Sequence, residues 1–67
     1  MQLLSTRELE VLNLIAYGYT AKEISSKLFI STHTVISHSK NLKQKLHAKN
    51  SACMVRVAYQ QGIFTID

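Results

Sequence analysis

The sequence predicts an all-α fold, a compact four-helix domain that contains a helix-turn-helix. Proline is absent from the 67 residues, and the two glycines, Gly18 and Gly62, leave long segments free of helix breakers. Capping residues precede four segments in which apolar residues recur at helical spacing. We therefore expect helices at about 6–17, 21–28, 32–46 and 51–61. A chain of this size forms one domain, residues 1–67.

The first two helices are predicted by the same capping arrangement. The Ser5 hydroxyl can cap the first helix, and Glu8 can accept a hydrogen bond from the Ser5 amide in return. Thr20 and Glu23 repeat this pattern before the second helix. Gly18 supplies the left-handed residue that commonly follows a helix end, so the first helix should stop there.

The third helix is predicted to follow the second after a tight connection that contains Phe29 and Ile30. So short a connection forces an abrupt change of direction, which is typical of a helix-turn-helix. Ser31 can cap the third helix, but Thr34 stands where the first two caps have a glutamate. Because the first turn lacks an acid, its positive dipole end is left for an external anion.

The apolar positions predict which faces of the helices meet in the core. In the third helix, Val35, Leu42 and Leu46 recur at i, i+7 and i+11, so this face should be buried. The fourth helix should begin after an Asn50 cap and end at Gly62. The other predicted core residues are Val11, Leu12, Ile15, Ala16, Ile24, Leu28, Met54, Val55 and Ala58.

The net charge of +4 lies entirely in the second half of the chain. Basic and acidic residues cancel through Ile30, whereas Asp67 is the only acid beyond it. The basic residues of the second half are Lys40, Lys43, Lys45, Lys49 and Arg56. This concentration favours a polyanion such as nucleic acid, although a solvated, lysine-rich helix face explains the charge equally well.

Several classes of function are disfavoured by the composition. Cys53 is the only cysteine, which argues against disulfides and structural zinc and favours a reducing, cytoplasmic setting. His33 and His38 lie on different sides of the third helix, so we expect no metal site. The sequence has no apolar run of membrane-spanning length, so we expect no membrane partner. It also has no nucleophile–base pair and no carboxylate pair, so we expect no enzyme activity and no cofactor.

Sequence motifs continue in register over about residues 3–64. They are LSTRELEVL (4–12), LIAYG (14–18), TAKEIS (20–25), LFIS (28–31) and TV (34–35), followed by His38, Asn41, Lys45, Leu46 and Asn50. Together they resemble the LuxR/GerE-type (FixJ/NarL-type) helix-turn-helix domain of bacterial transcription regulators. The resemblance implies sequence-specific binding of double-stranded DNA, often as the effector domain of a response regulator, and dimerisation through the fourth helix.

We expect the third helix to lie in the major groove of DNA. The predicted base contacts are on its outward side and comprise Ile36, Ser37 and Lys40. Lys40 can donate to guanine or to a phosphate. Ile36 can contact a thymine methyl, or it can pack against the neighbouring helix instead. The predicted contacts to the DNA backbone are Thr20, Lys22, Thr32, His33, Thr34, His38, Asn41 and Lys45. Thr20 can cap the second helix and contact a phosphate as well, whereas the alternative for Lys45 is a solvated helix face.

The outward face of the fourth helix predicts a second contact. The residues expected on this face are Cys53, Arg56, Val57 and Gln60. Cys53 and Val57 would form a small apolar patch that suits a weak homodimer. The alternative is that this face is ordinary protein surface. The sequence does not distinguish two possibilities: a domain excised from a longer protein with a receiver or sensor domain upstream, and a short stand-alone regulator. A competing hypothesis is a protein-interaction module whose third helix contacts another regulator or RNA polymerase, which the apolar Ile36 favours.

Overall fold

The protein is described by a computed structural model over residues 4–63, so residues 1–3 and 64–67 of the predicted domain lie outside the described residues. Its helices are α1 (Thr6–Ala16), α2 (Ala21–Leu28), α3 (Thr32–Lys45) and α4 (Ser51–Gln60). The predicted all-α, four-helix class is confirmed. Three predicted ends were one residue too long, because Tyr17, Leu46 and Gln61 are C-caps. Within residues 4–63, no helix has the length and hydropathy needed to cross a membrane.

Reciprocal caps begin α1 and α2, as the sequence predicts. The Ser5 hydroxyl accepts from the Glu8 amide at 3.1 Å, and a Glu8 carboxylate oxygen accepts from the Ser5 amide at 2.8 Å. The corresponding distances for Thr20 and Glu23 are 3.2 and 2.8 Å. Each cap pairs two amides that the helix itself leaves without partners, and a cap of this kind is worth about 1 kcal/mol.

The connection between α2 and α3 turns on a left-handed residue that is not a glycine. Phe29 has φ 57° and ψ 42°, and its side chain is 94% exposed. This backbone turn lets the Ile30 amide donate to the Ser25 carbonyl at 3.1 Å, which ends α2. Ser31 then caps α3 by accepting from the Thr34 amide at 3.0 Å. The turn therefore depends on the backbone of Phe29 and leaves its ring in solvent.

The start and end of α4 also follow the predicted chemistry. The Asn50 side-chain oxygen accepts from the Cys53 amide at 2.8 Å. After the helix, Gly62 is left-handed with φ 70° and the Ile63 amide donates to the Ala58 carbonyl at 3.0 Å. The side chain of Ile63 packs back against the core, so α4 is fixed at both ends.

The hydrophobic core lies between α3 and the other three helices. Its buried residues are Val11, Leu12, Ile24, Val35, Leu42, Leu46, Met54 and Ala58, all of them predicted. In α4 the prediction for Val55 was wrong, because Val57 and not Val55 packs against this core. Helical spacing places Val55 and Val57 equally far from Met54 and Ala58, on opposite sides of their face, so the packing of the other helices decides which of the two joins the core.

Candidate nucleic-acid interface

One side of α3 is exposed along the middle of the helix. Ile36, Ser37 and Lys40 lie opposite the buried Val35 and Leu42, and Ile36 is 54% exposed. Their spacing of i, i+1 and i+4 places them on one ridge, which we call the reader ridge. A helix with its side chains is about 10–12 Å across, and the major groove of B-DNA is about 12 Å wide. The reader ridge can therefore enter the groove without rearrangement of the core.

A groove of about 590 Å³ runs beside the reader ridge. The end of α1, the start of α2 and the length of α3 form its walls, and Ser51 of α4 contributes to its lining. Ile15 and Ile24 give it an apolar wall, while Thr20, Lys40 and Lys43 add polar groups. The groove connects the start of α2 to the reader ridge, so both can face one extended ligand.

Three hydroxyls among the predicted backbone contacts already have partners inside the protein. Thr20 caps α2, and the Thr34 and Ser31 hydroxyls lie 2.8 Å apart at the start of α3. The Thr32 hydroxyl donates to the Ser25 hydroxyl at 3.2 Å, and Ser25 donates in turn to the Lys22 carbonyl at 2.6 Å. These two hydrogen bonds link α2 to the start of α3. Ser25 was not among the predicted site residues, because nothing in its spacing indicates a contact with α3.

The other predicted backbone contacts differ in exposure. Lys22, His33 and Asn41 are exposed, whereas His38 is half-buried. Lys22, Lys40 and Lys43 form no ion pair with any residue in the described part of the chain. Because no carboxylate of the described residues lies within 4 Å of these ammonium groups, they can attract an external anion such as a phosphate.

Lys45 is held by a carboxylate of the protein itself. Its Nζ lies 2.7 Å from Oε1 of Glu8, the same oxygen that accepts the Ser5 amide. Glu8 is only 4% exposed, and the Lys45 side chain is 29% exposed. The pair ties the start of α1 to the end of α3. The solvated-face alternative for Lys45 is therefore wrong, and a phosphate would have to compete with Glu8 for this ammonium group.

The environment of Glu8 keeps it charged in the folded protein. Burial by itself would raise its pKa, but the Lys45 and Ser5 hydrogen bonds and the Lys45 charge outweigh burial and lower the pKa below its ordinary value. The pKa of Glu23 is also lowered, chiefly by the hydrogen bond from the Thr20 amide. Both caps therefore bind the carboxylate form, which strengthens their hydrogen bonds.

The predicted dimer surface of α4 is less apolar than expected. Arg56 and Gln60 are exposed, but Cys53 is half-buried. Val57, which was expected to be exposed, is also half-buried because it packs against the core. Tyr59, which was not among the predicted dimer contacts, is 56% exposed. It lies three residues after Arg56 and beside Gln60, so these three side chains share one outward face. Helical spacing from Arg56 could have identified Tyr59.

Comparison with known proteins supplies a family for this fold. A family model described as "Bacterial regulatory proteins, luxR family" matches residues 2–58. The oxygen regulatory protein NreC of Staphylococcus carnosus (strain TM300) is 47% identical over 62 residues, which are 92% of this chain and 29% of NreC. The chain thus spans less than a third of the length of such curated relatives.

Solved structures share the four-helix arrangement. The response regulator ChrA of a heme-sensing two-component system superposes with a TM-score of 0.91 and 34% identity, covering 96% of this chain and 32% of ChrA. VqmA of Vibrio cholerae, in a complex with ligand and DNA, superposes with a TM-score of 0.89 and 28% identity, covering 100% of this chain and 29% of VqmA. The same fold therefore occurs within considerably longer proteins.

Proposed function

Because the chain belongs to the luxR family of bacterial regulatory proteins, we propose that it binds double-stranded DNA sequence-specifically and so regulates transcription. In this proposal α3 lies in the major groove of DNA in the cytoplasm, and the domain is the effector part of a response regulator with a receiver or sensor domain upstream. The observation that carries the proposal is the reader ridge. Ile36, Ser37 and Lys40 are exposed on the side of α3 opposite its buried face.

The proposed contacts separate into base contacts and backbone contacts. Lys40 can donate to O6 and N7 of guanine, and the Ser37 hydroxyl can pair with several base edges. The proposed backbone contacts, which set position and not sequence, are Thr20, Lys22, Thr32, His33, Thr34, His38, Asn41 and Lys45. Lys22 is exposed and without an ion pair in the described residues, so we expect it to contribute more than Lys45, which Glu8 already holds.

We further propose that two copies associate weakly through α4 on DNA. The proposed surface consists of the exposed Arg56, Tyr59 and Gln60 together with the part of the half-buried Cys53 and Val57 that remains accessible. A twofold dimer reads two half-sites about 10–10.5 base pairs, or multiples of this, apart. RNA polymerase is a further candidate partner of the bound dimer.

The test compares two lysine variants on α2 and one on α3 by fluorescence anisotropy with labelled duplexes. Lys40→Ala should weaken binding and change the preference among sites, because Lys40 lies on the reader ridge. Lys22→Ala should weaken all duplexes to a similar degree. Lys27→Ala is the matched control, because it removes the same charge from the opposite end of α2, where Lys27 lies 4.6 Å from the Tyr19 ring. Equal binding of the wild type to every duplex at moderate salt would contradict sequence specificity.

The exposed Ile36 favours one competing function, a protein-interaction module whose α3 contacts another regulator or RNA polymerase. Such a module need not bind DNA. An absence of binding to random duplex DNA at low salt would support this function over ours, because even non-specific phosphate contacts are strong under that condition.

A further inference from the structure

Ile36 is the one large apolar side chain that α3 exposes. It is 54% exposed at the N-terminal end of the reader ridge, and the exposed residues Ser37, Lys40 and Asn41 that follow it are polar. About half of its surface is open to solvent, and it lines the groove between α3 and the start of α2. An isoleucine in this position is also a weaker helix former than lysine or leucine. Ile36 is not among the residues that pack against the core, so neither core packing nor helix propensity accounts for it.

The chemistry of Ile36 limits what it can recognise in DNA. Its side chain has no hydrogen-bond donor or acceptor, so it cannot pair with the polar edge of any base. The C5-methyl group of thymine is the apolar group that the base pairs present in the major groove. A β-branched side chain in a helix also has one strongly preferred χ1 rotamer, so its methyl groups are already fixed in direction before binding.

We propose that Ile36 determines specificity by packing against a thymine methyl, so that each half-site of the operator contains a thymine at this point. Lys40 lies one turn further along the same ridge, about 6 Å along the helix axis. At a rise of about 3.4 Å per base pair, the base that Lys40 reads lies within about two base pairs of this thymine. The inference rests on the proposed DNA-binding function.

The experiment first selects bound duplexes from a random pool with the wild-type chain and with Ile36→Ala. A thymine should be enriched at one position of each half-site for the wild type only. In the best site, that thymine is then replaced by deoxyuridine, which removes the methyl group and leaves the base-pair hydrogen bonds unchanged. We expect the wild type to bind about fourfold more weakly for each half-site changed, and Ile36→Ala to bind both duplexes equally.

Two controls separate the methyl group from other effects. Ser37→Ala changes the adjacent residue of the ridge and should keep the wild-type ratio between thymine and deoxyuridine duplexes. If the thymine is replaced by cytosine, binding should fall, and 5-methylcytosine should restore part of it. Circular dichroism melting checks that Ile36→Ala remains folded, which its exposure leads us to expect.

The outcomes distinguish this inference from the function on which it rests. If a motif is enriched but deoxyuridine binds as well as thymine at every position, Ile36 does not read a methyl group and the DNA-binding proposal stands. If the same thymine is enriched with Ile36→Ala, another residue selects it, and the inference is again wrong. If no motif is enriched at all, the proposed function fails and this inference fails with it.

Discussion

At the scale of the residue, Glu8 illustrates how one carboxylate serves two structural roles. It caps α1 through the Ser5 amide, and it also holds Lys45 at the end of α3. The cap is visible in the sequence because its two residues are three positions apart. The ion pair with Lys45 cannot be seen in the sequence, because it joins positions 37 residues apart and depends on how α1 crosses α3.

Replacing Glu8 by Gln should lower the free energy of unfolding at pH 7 by about 1–3 kcal/mol, because a half-buried charged hydrogen bond is lost. The folded pKa of Glu8 lies below its ordinary value of 4.5, so the stabilisation is present above that value. It is lost as the pH falls through the folded pKa. Urea unfolding from pH 7 to about pH 3 should show the wild type converging on the variant. Glu10→Gln, whose 3.9 Å ion pair with Arg7 is exposed, should have little effect; an equal loss would contradict the role of Glu8.

Lys45→Met should mainly reduce stability, whereas Lys22→Ala should mainly reduce DNA binding. Loss of a phosphate contact reduces the slope of log K against log salt by about 1. We expect that change for the exposed Lys22 and a smaller one for Lys45, whose charge Glu8 offsets. Anisotropy titrations at several salt concentrations measure the slopes, and urea unfolding measures the stabilities. Equal slope changes would show that Lys45 leaves Glu8 to bind a phosphate.

At the scale of the element, the helix starts were predictable and the packing between helices was less so. All four N-caps follow from side chains that reach backbone amides within a few residues. By contrast, the link from Thr32 through Ser25 joins two helices. The left-handed Phe29 was also missed, because its conformation is set by the turn into α3 and not by its own preference.

Phe29→Asn should raise the free energy of unfolding by about 0.5–1 kcal/mol. Asparagine tolerates the left-handed conformation better than phenylalanine does, and the Phe29 ring, 94% exposed, contributes no core packing that would be lost. Phe29→Ala is the matched control, since it removes the same ring but keeps an ordinary Cβ in the strained conformation. Thermal or urea unfolding measures both. A stabilisation of the same size by alanine would mean that the ring and not the backbone is unfavourable.

At the scale of the whole molecule, α4 lies where it could set the distance between two copies on DNA. Ser51, at its start, lines the same groove as Lys40 and Lys43, so α4 begins beside the proposed DNA-binding surface. Its 10 residues extend about 15 Å. A contact made by one helix this short is small beside the roughly 1,200–2,000 Å² of stable interfaces, so we expect weak association that adjacent half-sites reinforce.

Tyr59→Ala should therefore weaken binding to a duplex with two half-sites by about tenfold while leaving a single half-site almost unaffected. The substitution removes exposed aromatic area from α4 without changing the charge, so phosphate attraction is preserved. Tyr17→Ala is the matched control, because Tyr17 is 64% exposed but follows α1. Anisotropy on the two duplexes measures the difference, and inserting about half a helical turn between the half-sites should abolish the advantage of the wild type. If Tyr59→Ala weakens the single half-site equally, Tyr59 acts on the DNA contact of one copy and α4 is not the dimer surface.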